Sequence, residues 1–209
     1  MQQKVINAGG QQDVKRDRIL EAAYQRFLHH GYSKTTMNDI AGDLSFSKAL
    51  LYYYFPDKSE VYTAVMRKLA SEYFITLEEK INDFTDLKEA IVFQVDTQHN
   101  FLLNNNNFFD FFRLYEQNLP DGIWQILTDI HLAEMQMISK ILKAEETKGI
   151  IRPIDDPDKV ADMLLDALQG VRVSASANKK RLFPRQEHLD EIHDKRLLLI
   201  DIFIRGLMN

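Results

Sequence analysis

The sequence predicts an all-α protein of about nine helices, a three-helix N-terminal head joined to a larger helical body. Three observations predict this class. The 209 residues hold only 8 Gly and 5 Pro, too few turn-formers for an all-β chain. Apolar residues recur at three- and four-residue spacing along nearly the whole length. Caps and stops then divide that rhythm into segments, none of which reads as a strand.

Residues 1–12 contain Lys4 and no apolar segment, and read as a flexible polar tail. From Asp13 to His30, Ile19, Ala22, Ala23 and Phe27 recur beside Leu20, Tyr24 and Leu28, predicting a first helix that Gly31 stops in the left-handed region. Thr36 with Asp39 three residues later is a capping-box-like start for a short helix to about Leu44. Ser45-Phe46-Ser47 interrupts it, because both serines compete for backbone hydrogen bonds and Ser47 can cap a second short helix, Lys48 to about Tyr54. Pro56 pushes Phe55 to an extended conformation, and Asp57 caps a long helix from Lys58 to about Lys80. Further helices are predicted near Asp86–Asn104, Asn107–Gln117, Asp121–Lys148, Asp156–Ala177 and Gln186–Met208, with breaks at Gly149, Pro153, Pro157 and Pro184. The organisation is thus a tail (1–12), a head (13–57) and a body (58–209).

Composition narrows the function classes. At 45% hydrophobic and 27% charged, the chain can bury a globular core. It has no cysteine, so disulfides and thiolate chemistry are excluded and a reducing, cytoplasmic setting is expected. Apolar runs such as Leu197–Ile200 end far short of the roughly 18 residues of a membrane span. The net charge is −5, but residues 1–60 carry +1 and the remainder −6, a weak pointer of the head towards nucleic acid.

Helix, short helix, tight turn, short helix is the arrangement by which a helix-turn-helix offers its last helix to the major groove of DNA. A groove about 12 Å wide admits one helix, whose first turns reach base edges. Hydroxyls on Thr36, Ser47, Tyr52, Tyr53 and Tyr54, charges on Lys48 and Lys58, and N–H groups at the helix starts are all donors that phosphate oxygens accept from.

These stretches resemble the DNA-binding region of TetR-type transcriptional regulators. The resemblance runs from Ile19 to Leu69, about a quarter of the chain, through Ile19-Leu20-Glu21-Ala22-Ala23, Phe27, Gly31-Tyr32, Thr35-Thr36-Met37-Asn38-Asp39-Ile40-Ala41, Ser47-Lys48-Ala49-Leu50-Leu51-Tyr52-Tyr53-Tyr54-Phe55 and Lys58. It implies that Thr36 binds phosphate, that Asn38 and Lys48 face bases, and that Ala49 approaches a thymine methyl. It further implies backbone contacts from Tyr52, Tyr53 and Tyr54 and a phosphate clamp at Lys58. Thr36 would cap its helix without DNA as well. The chain departs from the family pattern at Ser45, where Gly is usual, at Phe46, where a smaller aliphatic is usual, and at Leu50, where a small hydroxyl residue is usual. A left-handed Ser45 would carry some strain.

The resemblance implies a homodimer on a palindromic operator, a repressor responsive to a ligand, with the last two helices pairing across copies. Ala167, Gly170, Val171 and Ser174 offer a close-packing helix surface, and Leu199, Ile200 and Phe203 lie on the apolar stripe of the final helix. Gln94, Gln98 and Glu134 interrupt apolar helix faces and, with His131, are the candidate pocket for a small apolar effector. No cofactor is expected. A helical metal-carboxylate enzyme would need Glu-x-x-His pairs on two helices, whereas Asp190-x-x-His193 beside His188 is one imperfect copy, so no catalytic or metal residue is assigned. A protein-binding adaptor without a DNA role is the remaining alternative. Operator sequence, target genes, effector identity and the sign of regulation lie beyond the sequence.

Overall fold

The computed structural model describes residues 2–81, 84, 86–105, 108, 109, 121–177 and 186–208. Eight helices occupy them: α1 (Gln2–Lys34), α2 (Met37–Asp43), α3 (Lys48–Tyr54), α4 (Lys58–Ile81), α5 (Leu87–Asn104), α6 (Asp121–Thr147), α7 (Pro157–Ala177) and α8 (Gln186–Leu207). The helix expected at 107–117 falls outside the described residues, apart from Phe108 and Phe109, which form a turn. Among the described residues the one β-type pairing is an isolated antiparallel bridge between Ile151 and Met208.

The caps explain most boundaries. Asp86 accepts from the Glu89 N–H (2.9 Å) and Asp156 from the Lys159 N–H (3.1 Å), each one residue ahead of the helix it starts. At the end of α6 the Ile150 N–H donates to the Glu145 carbonyl (3.1 Å) and the Gly149 N–H to Glu146 (2.8 Å), with Gly149 at φ 72°. That is a Schellman ending built on a left-handed glycine. α1 differs from expectation at its start, which is Gln2 rather than Asp13. Gly31, at φ 75° and ψ 168°, is a sharp kink followed by one more helical turn.

The chain divides into two compact units, Met1–Leu69 with Asn105–Ile123, and Ala70–Asn104 with Trp124–Asn209. The first unit is built around aromatic rings. Phe27, fully buried, meets Tyr62 edge-on at 5.4 Å and Phe108 at 6.2 Å, while Tyr62 stacks on Phe108 at 4.4 Å and donates its hydroxyl to the Phe108 carbonyl (2.9 Å). Around them Ile19, Ala23, Ile40, Leu51 and Val61 are buried. A methyl at Gly122 would come within 2.9 Å of the Thr63 side chain, so the first turn of α6 must be small there.

The second unit has an aliphatic core. Leu87, Ile91 and Val95 of α5 meet Ile138 and Leu142 of α6, Leu164 and Leu168 of α7, and Ile200 and Ile204 of α8. No helix of the described residues is long and apolar enough to cross a membrane.

Replacing the central ring of the first unit, Phe27→Ala, should cost about 3–5 kcal/mol in urea-induced unfolding, because it is fully buried against the rings of Tyr32, Tyr62 and Phe108 and its loss leaves a cavity. A loss below about 1 kcal/mol would mean that this ring cluster is not the core of the head.

Candidate nucleic-acid interface

Both short helices are held by caps above and buried side chains beneath. The Thr36 hydroxyl oxygen accepts from the Asp39 N–H (3.2 Å), while the Asp39 carboxylate accepts from the Thr36 N–H (2.9 Å) and hydroxyl (2.7 Å), a complete capping box. The hydroxyl first, and then the backbone N–H, hold the Asp39 carboxyl below its ordinary range. α2 ends as the Phe46 N–H donates to the Ala41 carbonyl (2.9 Å) and the Ser45 N–H to Gly42 (3.1 Å). This is again a Schellman turn, but its left-handed residue is Ser45, at φ 54°. The strain foreseen at that position is therefore present. Phe46, large for a turn, lies beneath the Arg18 guanidinium, 5.1 Å from its ring centroid.

Ser47 caps α3 by accepting from the Leu50 N–H (3.2 Å). Leu51 and Phe55 are buried and anchor the helix, with Arg16 5.3 Å over the Phe55 ring. α1 and α2 are tied by Arg26, which forks onto both carboxylate oxygens of Asp43 at 2.5 Å and lowers that carboxyl.

With one side anchored, the other side of α3 faces outward. Lys48, Ala49, Tyr52 and Tyr53 are exposed, the two tyrosines to 42% and 70%, and Tyr54 is half-buried. A recess of about 270 Å³ brings together Thr36, Asn38, Lys48, Tyr52 and Lys58, lined also by Ser33 and Met37, which sequence reasoning did not single out. No carboxylate lines this recess, so its charge is set by the two lysines. The Lys48 ammonium stands 5.7 Å from the Tyr52 ring.

Two expected contacts are partly committed to the head itself. Lys58 donates to the carbonyls of Tyr32 (2.8 Å) and Thr35 (2.9 Å) and sits 4.1 Å from the Tyr32 ring centroid. Burial lowers its pKa. One of its three N–H donors is left for a phosphate. Thr36 likewise gives its proton to Asp39, so a phosphate oxygen would compete with that carboxylate.

In the second unit, three of the four candidate pocket residues join one polar cluster. Gln94 and Glu134 are buried; Glu134 accepts from the Tyr73 hydroxyl (2.5 Å) and from Gln94, and Gln98 accepts from Arg196 (2.6 Å). Burial raises the Glu134 carboxyl and, with Glu134 adjacent, pushes the Tyr73 hydroxyl well up. Burial and the nearby Arg172 lower Arg196 to about 10. His131 pairs with Asp162 (2.7 Å), close to Asp166, and also acts electrostatically on Glu134. The sequence signal for Arg196 was there to be read, an arginine inside the apolar stripe of α8.

Of the residues expected between copies, Ala167, Gly170 and Ser174 are exposed on α7 and Val171 is half-buried. Ile200 is fully buried in the second unit's own core, and Leu199 and Phe203 pack against that core, because their stripe on α8 turns inward. The outward apolar positions of α8 are instead Leu198 and Ile202.

Residues 19–65 match the family described as bacterial regulatory proteins, tetR family. The chain is 32% identical over 91 residues, 42% of its own length and 43% of the relative's, to the HTH-type transcriptional regulator RutR of Escherichia coli. It is 29% identical over 83 residues, 37% of each chain, to the probable acrEF/envCD operon repressor of Escherichia coli. These alignments span less than half the length of either relative. Among solved structures, a transcriptional regulator from Cytophaga hutchinsonii superposes with a TM-score of 0.80 at 24% identity, over 93% of this chain and 99% of that one. A regulator from Saccharomonospora viridis, solved in complex with choline, gives 0.70 at 22% identity over 94% and 99%. At these identities the structures establish the fold.

Two outcomes follow for the head. Lys58→Met, which removes the ammonium donor shared by the Tyr32 and Thr35 carbonyls, should lower its stability by about 1–3 kcal/mol in urea unfolding, even without DNA. Asp39 and Asp43 have folded pKa values below their unfolded ones, so their contribution is complete above the ordinary carboxylate range and is lost as pH falls through the lowered values. Asp39→Asn should therefore flatten the acid limb of a stability-versus-pH curve, whereas an unchanged limb would show that the capping box is not formed in solution.

Proposed function

We propose that this chain, which carries at residues 19–65 the DNA-binding domain of the TetR family, acts as a whole as a dimeric transcriptional regulator at a palindromic operator. The observation that carries the reading is the outward face of α3, with Lys48, Ala49, Tyr52 and Tyr53 exposed beside the carboxylate-free recess that holds Asn38 and Lys58. Lys48 and Asn38 read base edges, Ala49 takes a thymine methyl, and the tyrosines, Ser47, Thr36 and Lys58 grip phosphates. Lys58 has a second role, holding the turn after Gly31 through two carbonyls.

One such head makes few contacts, whereas two, spaced about 34 Å apart by a dimer, read both halves of a palindrome. An outward surface of α7, formed by Met163, Ala167, Gly170 and Ser174, supports pairing of copies: at Gly170 an added methyl would meet nothing within 4 Å. Leu198 and Ile202 of α8, exposed to 61% and 60%, extend the apolar area. The protein is a repressor in this reading, works in the cytoplasm where its DNA lies, and catalyses nothing.

The body binds an effector. The choline complex of the Saccharomonospora viridis neighbour supports a ligand site in this fold. An effector can weaken operator binding only by as much as it prefers the non-binding state, and α4, whose chain passes from the first unit into the second, is the segment through which such a preference is expressed.

Selection of bound sites from random duplexes should return a palindrome with half-sites about one helical turn apart. Lys48→Ala should then lose about 1–3 kcal/mol of specific binding and relax discrimination at one base pair of each half-site. Recovery of sequences without symmetry, or equal affinity for selected and random duplexes, would leave the adaptor reading in its place.

A further inference from the structure

We propose that His131 of α6, with Asp162 and Asp166 of α7, forms a site for one borderline divalent cation, of the class of Zn²⁺, Co²⁺ or Ni²⁺, on the surface of the second unit. A ring nitrogen of His131 and a carboxylate oxygen from each aspartate lie within 4.8 Å of one another. Among the described residues this is the one group of three such side chains that converges in this way. Asp162 and Asp166 stand one turn apart on α7, so both side chains leave the same face of the helix. His131 meets them from α6, its Nε2–H donating to the Asp162 carboxylate (2.7 Å).

A proton serves this set poorly. Two carboxylates four residues apart on a helix repel each other, and a single N–H holds only one of them at close range. A divalent cation in the place of that proton is bonded by all three groups at once, and the displaced proton moves to Nδ1, or to water if Nδ1 already holds one. Metal–ligand bonds of about 2.0–2.2 Å set tetrahedral donors about 3.3 Å apart, a closing movement within reach of side-chain rotation. The helices beneath need not shift. Ile138, two turns along α6 from His131, shares a core with Leu164 and Leu165, which lie between the two aspartates on α7.

The donor set selects the ion. One imidazole nitrogen with two carboxylate oxygens suits Zn²⁺, Co²⁺ or Ni²⁺, whereas Mg²⁺ and Ca²⁺ favour oxygen alone. The side chains of His131 and Asp162 are 41% and 53% exposed, so the ion enters from solvent and water completes its coordination. The histidines of α5 and α8 offer no such convergence. His99 and His193 stack at 4.3 Å, and each directs Nε2 to a different carboxylate, Asp190 at 3.3 Å and Asp96 at 3.0 Å. The Asp190-x-x-His193 pair of the sequence is thus divided between two partners.

The full-length chain, freed of metal by a chelator and desalted, is titrated with Zn²⁺, Ni²⁺ and Mg²⁺ and read by calorimetry and thermal shift. One equivalent of Zn²⁺ or Ni²⁺ should bind per chain and raise Tm by tying α6 to α7, with Mg²⁺ at least about tenfold weaker. Affinity should fall with pH, because protons compete for the imidazole nitrogen. Asp166→Asn, at an exposed position, and His131→Gln should each weaken binding by at least about tenfold, whereas the double variant His29→Gln, His30→Gln, exposed on α1, should leave it unchanged. No stoichiometric binding at submillimolar ion, equal affinity for Mg²⁺, unchanged affinity in Asp166→Asn or His131→Gln, or loss of binding in the α1 double variant would overturn the proposal. Should His131→Gln not fold, Asp166→Asn decides alone. The site is independent of DNA recognition, so operator binding by these variants is read separately and neither supports nor removes it.

Discussion

A helix of seven residues is unstable by itself, and two such helices, α2 and α3, carry the exposed side chains beside the recess of the head. They persist because everything around them is fixed. Thr36 and Ser47 satisfy amide groups at their starts, the turn at Ser45 closes carbonyls between them, and Leu51 and Phe55 anchor α3 by their burial. The left-handed Ser45 shows how strong that determination is, since its strain is tolerated only where neighbouring contacts override it.

The donors of the head fall into two groups. One set holds the fold: the Thr36 hydroxyl on Asp39, two of the Lys58 N–H groups on carbonyls, and the Arg26 fork on Asp43. The other set, on Lys48, Asn38 and Tyr52, is exposed and lines a recess free of carboxylates. This division explains how a chain of net charge −5 can present an exposed recess whose charge is set by two lysines. Two acids of the head, Asp39 and Asp43, are engaged by its own donors, and no carboxylate lines the recess.

The body follows the opposite rule. Its aliphatic core, from Ile91 and Ile138 to Ile200, is closed and gives stability, while Arg196, Gln94 and Glu134 place polarity where apolar contact would be more stable.

Helix order, the caps at Thr36 and Ser47, the helix starts near Asp86 and Asp156 and the left-handed Gly31 were legible in the sequence, because each rests on interactions within a few residues along the chain, although Gly31 proved a kink and not a stop. Periodicity also marked the stripe of α8, but could not say whether Ile200 met its own core or another copy, since both burials ask for the same spacing. Likewise it placed Gln94, Gln98 and Glu134 on apolar faces, but singled out neither Tyr73, which bonds Glu134, nor Asp162, which pairs with His131. Local order along the chain was therefore determined by the sequence alone. Which side chains share a site was decided by tertiary packing, because hydrogen bonds such as Tyr73 to Glu134 or Arg196 to Gln98 join residues far apart in the chain, and no local pattern encodes that meeting.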